Sequence, residues 1–122
     1  MKHYTETISV ALAEKLKEKG MPIEMQPLYA QEAPNARGIV KAGVGLRCPS
    51  YAEVLDYLWD KGIRITIRDD SFVDEFGHHE EWWTHVYRPD GSTLGRTDTF
   101  LPYKESWHAA VNAAITKALE LI

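Results

Sequence analysis

The chain has 122 residues, 44% of them apolar and 26% charged, a composition that suits one globular domain with a closed hydrophobic core. A formal charge of −4 provides no broad basic footprint for a phosphate backbone. The single cysteine, Cys48, leaves no internal disulfide and no cysteine-built zinc cage, and it points to a reducing compartment. Glu6, Glu14 and Lys15 interrupt the N-terminal stretch where a signal peptide would be apolar, and no segment reaches the length of a membrane span. The expectation is a soluble, cytoplasmic protein folded as one domain over 1–122.

A first helix is expected from about Thr5 to Lys19. Ile8, Ala11, Leu12 and Leu16 supply its apolar stripe, and the Lys-Glu-Lys run at 17–19 a solvated end. Gly20 stops it and Pro22 prevents continuation. Two short strands should follow, within 23–30 and 37–46, around a turn at Pro34-Asn35. Pro27 confines the first of them to a sheet edge. Gly38, Gly43 and Gly45 match neither the dinucleotide fingerprint nor a Walker loop, because the segment runs into Pro49 without a Gly-Lys-Ser/Thr.

The segment Ser50–Arg68 carries the strongest local signals. Ser50-x-x-Glu53 is a capping box, and Tyr51, Val54, Leu55, Leu58 and Trp59 recur at helical spacing. Gly62 supplies the left-handed stop, with Ile63 placed for the accompanying apolar contact. Ile63, Ile65 and Ile67 then alternate with Arg64, Thr66 and Arg68, the period of a strand with one buried face.

The acidic connection at 69–81 offers Phe72, Val73 and Phe76 as anchors. A hairpin is expected after it, with its turn at Pro89–Gly91. That turn makes Val86 face Leu94, Thr84 face Arg96 and Trp82 face Asp98. Trp82, Val86, Leu94 and Phe100 then share one side, and Trp83, His85 and Tyr87 the other. A last helix should begin near Tyr103, after Pro102. Its stripe is Trp107, Val111, Ala114, Ile115, Ala118, Leu119 and Ile122.

This order predicts an α+β fold: an antiparallel sheet of about three to five strands with three helices on one face. The Lys-Glu-Lys-Gly helix end at 17–20, the segment 49–65 and the closing Ala-Ala-Ile-Thr-Lys-Ala-Leu-Glu-Leu-Ile at 113–122 resemble small uncharacterised α+β proteins of gut Bacteroidales genomes, their phages and mobile elements. The resemblance implies a compact α+β fold and a phage or mobile-element setting. It brings no catalytic residues.

Two constellations bear on chemistry. His78-His79-Glu80-Glu81 and His85 follow a run of carboxylates, and imidazole with carboxylate suits zinc. On an extended strand His79 and Glu81 share a face, whereas His85 is about 13 Å past Glu81. A metal-dependent hydrolase or nuclease would therefore use His79, Glu81 and an upstream carboxylate such as Asp74. No His-Glu-x-x-His signature is present, and a solvated polar loop is the preferred account of the cluster. Cys48, before a helix start, has no neighbouring base in sequence.

The second constellation is the outer sheet face, Arg64, Arg68, Trp83, His85 and Tyr87, where rings and guanidinium groups can anchor a partner. The leading expectation is a non-enzymatic accessory interaction module with no cofactor. It would bind a protein partner or itself, as a homodimer, through that face. Nucleic acid is the next partner considered, and a membrane is not expected.

Overall fold

The computed structural model describes residues 2–31, 39–88 and 99–122, and the backbone alone at 2, 27–31 and 39–44. The fold is mixed α+β with antiparallel sheets. Two compact units can be distinguished, 7–49 and, formed from two stretches of chain, 1–6 with 50–122. Among the described residues no helix is long and apolar enough to cross a membrane.

In unit 7–49, helix α1 spans Val10–Glu18. It begins later than the expected Thr5 because Ser9 caps it, its hydroxyl oxygen accepting the Leu12 N–H at 3.2 Å. Its buried residues are Leu12, Ala13 and Leu16, so Ala13 takes the place expected of Ala11, which is exposed. Gly20, at φ 102°, ends the helix: its N–H donates to the Lys17 carbonyl and that of Met21 to Leu16. Strands β1 (Met25–Gln31) and β2 (Ile39–Leu46) pair antiparallel, with an irregularity between Leu28 and Tyr29. Each strand of a two-stranded ribbon is an edge, which is where Pro27 can sit without breaking a ladder. The expected turn at Pro34-Asn35 lies outside the described residues.

In the second unit, a single turn of 3-10 helix at Lys2–Thr5 comes first. Helix α2 spans Tyr51–Asp60 and has both halves of the capping box. The Glu53 N–H donates to the Ser50 hydroxyl at 3.2 Å, and the Ser50 N–H to the Glu53 carboxylate at 2.9 Å. At its other end Gly62, at φ 82°, donates to the Trp59 carbonyl and Ile63 to that of Leu58, the paired bonds of a Schellman stop, with Ile63 buried. Tyr51, Val54 and Leu58 are buried, but Trp59 is 59% exposed. A stripe at positions 51, 54 and 58 leaves residue 59 on the flank of the helix, so Trp59 is no core anchor.

Strands β3 (Arg64–Asp69), β6 (Trp82–Tyr87) and β7 (Thr99–Lys104) form one antiparallel sheet in the order β3-β6-β7. Between the first two, β4 (Phe72–Asp74) and β5 (Gly77–His79) form a separate small hairpin. The connection expected to be a loop is therefore a ribbon turned at Glu75-Phe76, with Gly77 at φ 117°. Its three expected anchors, Phe72, Val73 and Phe76, are all exposed.

The β6–β7 register departs from the expected one. Val86 faces Thr99, His85 faces Phe100 and Thr84 faces Leu101, and after an irregularity Trp82 faces Lys104. The expected partners Leu94, Arg96 and Asp98, and the turn at Pro89–Gly91, lie outside the described residues. Pro102 and Tyr103 belong to β7 and do not start a helix; β7 is a sheet edge, where proline is tolerated. Helix α3 spans Trp107–Leu119, capped by the Ser106 hydroxyl, which accepts the Ala109 N–H at 3.1 Å. Trp107, Ala110, Val111, Ala114, Ile115, Ala118 and Leu119 are buried, and α3 contacts β6, β7 and β3. Ile122 is exposed beyond the helix end. On β6 the buried residues are Trp82, Thr84 and Val86, one side of the strand, which leaves Trp83, His85 and Tyr87 on the other.

Candidate functional site

The register of β3 against β6 builds the second face of the sheet residue by residue. Arg64 stands opposite Tyr87, Thr66 opposite His85 and Arg68 opposite Trp83, so the five expected residues do occupy one face by position. Trp83, His85 and Tyr87 are half-buried. The His85 ring stacks on Tyr87 at 4.7 Å and on Phe100 at 4.0 Å between centroids. Phe100 is 76% exposed. Trp83 meets Tyr103 at 5.6 Å and donates its indole N–H to the Glu81 carboxylate at 2.7 Å. Thr66, Arg68, Trp83, His85 and Phe100 surround a hollow of about 160 Å³ on this face.

The two arginines act differently. The Arg68 guanidinium lies 5.6 Å from the Trp83 ring centroid and is held by the Asp70 carboxylate at 2.8 and 3.0 Å. Arg64 leans to the sheet edge, its guanidinium 3.2 Å over the Trp59 ring and bonded to the Trp59 carbonyl at 2.8 Å. Arg68 thus remains at the rim of the hollow, and Arg64 extends the aromatic surface toward Trp59. Phe100 and Tyr103 were missed from sequence because the expected turn put Phe100 on the buried side and a helix start at Tyr103. The β-like content of Thr-Phe-Leu-Pro-Tyr was the available signal.

Asp74, His79 and Glu81 do not converge. His79 Nε2 and Asp74 Oδ1 are 2.9 Å apart, and the His79 ring stacks on Phe72 at 4.9 Å. Asp74 also accepts the Phe76 N–H at 2.8 Å, which shapes the turn. Glu81 lies outside that pair, with its carboxylate turned to Trp83. The Phe72, His78, His79, Glu80 and Glu81 side chains border an open cleft of about 430 Å³.

A third group was not anticipated. His3 and Glu6, three residues apart on the first turn, meet His108 at the start of α3, with one ligand atom from each within 4.8 Å of the others. Among the described residues these are the three that gather so closely. Hydrogen bonds from His108 and then His3 hold the Glu6 carboxyl below its usual range. The only sequence signal was the His3-x-x-Glu6 spacing, since His108 comes from the far end of the chain.

Searches against protein-family models, curated proteins and solved structures find no match to this chain.

Proposed function

We propose that the chain is a non-enzymatic interaction module that docks through the β3-β6-β7 face, and that its partner is a second copy of itself. The observation that carries this reading is the aromatic row Tyr87–His85–Phe100, ending in an exposed ring beside a hollow that suits one large side chain. Exposed aromatic surface around a pocket, with arginine at its rim, has the make-up of a binding hot spot.

A second copy offers a matching element. Phe76 is 81% exposed at the β4–β5 turn, next to the carboxylates of Asp74 and Glu75. An apolar tip with acidic flanks complements an apolar hollow with Arg68 at its edge, and opposite charges at the rim set orientation. Hairpin into face, reciprocated about a two-fold axis, gives a closed dimer. The phage or mobile-element setting rests on the sequence resemblance alone and forms part of the proposal.

Sedimentation across about 1–500 μM tests it. The expected result is a mass rising from one chain to two, with Phe76→Ser weakening association by about 2 kcal/mol, or roughly 30-fold. Monomer throughout that range overturns the self-docking reading. A dimer that ignores both Phe76→Ser and Phe100→Ala overturns the assigned surface.

A further inference from the structure

The geometry points to a zinc site formed by His3, Glu6 and His108, a site unrelated to the docking face. His3 Nδ1 lies 3.1 Å from Glu6 Oε2, and His108 Nε2 is also in hydrogen-bond contact with that oxygen. The three ligand atoms fall within 4.8 Å of one another. Zinc bound at about 2.0–2.2 Å to nitrogen and oxygen in a tetrahedron holds its ligand atoms about 3.3–3.6 Å apart. Small side-chain adjustments, moving the histidines from the carboxylate onto a shared ion, would meet that requirement. Two imidazoles and one carboxylate suit zinc better than magnesium, which prefers oxygen alone. Three protein ligands leave the fourth position to water.

The surroundings hold the ligands in place. The His3 ring stacks on buried Trp107 at 4.9 Å, and the His108 ring meets His3 edge-on at 4.8 Å. Tyr51 borders His108 at 5.8 Å and is fixed by its hydroxyl donating to Asn112 at 2.7 Å. His108 sits one residue after Trp107 on a helix whose start is capped by Ser106. The ligands therefore come from a packed helix end and a short turn resting on the same tryptophan. Bound zinc would tie residues 3–6 to α3, because a ligand of the native state stabilises it.

The test is calorimetric titration of ZnCl₂ into tag-free full chain freed of metal with EDTA, followed by thermal unfolding with and without zinc. One zinc per chain is expected, with a rise in Tm of about 5 °C or more at saturating zinc. Glu6→Gln, His3→Ala and His108→Ala should each weaken binding about 100-fold or more, since even outer-shell changes cost roughly 10–100-fold. Glu6→Gln retains hydrogen-bonding capacity and keeps the test valid should either alanine variant fail to fold. The double variant His78→Ala/His79→Ala should bind as the parent does. Binding below one equivalent, or binding that survives Glu6→Gln, overturns the site, as does binding abolished by the His78/His79 change.

Discussion

Asp69 is held as a carboxylate chiefly by Ser71. Hydrogen bonds from the Ser71 hydroxyl and its backbone N–H, the latter at 2.9 Å, keep the acid below its ordinary 3.8, and nearby His78 adds a smaller effect in the same direction. A folded-state value below the unfolded one contributes stability that is present above the unfolded pKa and lost as pH falls through the folded one. Asp69→Asn, which keeps an acceptor oxygen and removes the charge, should therefore flatten the acid limb of the stability curve below that ordinary 3.8. It should leave the neutral and basic limbs parallel to the parent's. Urea unfolding at stepped pH reads this directly, and an unchanged acid limb would show that Asp69 is not coupled to folding. Single-residue features of this kind are legible in sequence when their partners are near in the chain. Ser50 and Glu53 were readable as a cap for that reason, whereas His108, 102 residues from Glu6, was not.

Helix α2 shows where an element-level pattern stops being informative. Leu58 and Trp59 both fit the helical spacing, yet Leu58 is fully buried and Trp59 is exposed with the Arg64 guanidinium over its ring. Leu58→Ala should cost about 2–5 kcal/mol as a core cavity. Trp59→Ala should cost under about 1 kcal/mol, the scale of an exposed cation–π contact. Denaturant titration of the pair checks this, and equal losses would mean that Trp59 is a core residue after all. Periodicity reports a face about a third of the helix wide, so it assigns the centre of the stripe well and its flank poorly. Strand pairing fails for a different reason. Facing residue numbers on β6 and β7 sum to 185 at Thr84, His85 and Val86, where the Pro89–Gly91 turn implied 180. An odd displacement moves each β7 side chain to the opposite face, which is how Phe100 left the expected core and joined His85. The three helices and the strand Arg64–Asp69 were readable because their signals are local, and the face that Phe100 completes was not because register depends on where two distant segments meet.

At the scale of the whole molecule, a reciprocal dimer and an open chain of copies use the same hairpin and the same face, and they differ only in closure. Two defective variants test the contact that both share. Phe76→Ser removes the inserting ring and keeps the receiving face, and Phe100→Ala with Arg68→Ser damages the face and keeps the hairpin. Each variant alone has no complete contact with its own kind, so each should sediment as a monomer near the parent's dissociation constant. An equimolar mixture restores one contact of the two: a sound face on one chain receives a sound hairpin from the other. A species of two chains should then form, weaker than the parent dimer because half of its contacts are missing, and it should not grow further. The parent distinguishes the two geometries by its limit, since two contacts related by a two-fold axis stop at two chains while a non-closing contact continues to larger masses as concentration rises. Added salt should loosen the parent dimer modestly, because Arg68, exposed and already paired with its own Asp70, would meet the other copy's Asp74 and Glu75 only at a rim where screening is effective. A mixture that remains monomeric while the parent dimerises would mean that the contact is face to face and that the hairpin acts only indirectly. The aromatic row would then be buried against its own copy, without Phe76 at the interface.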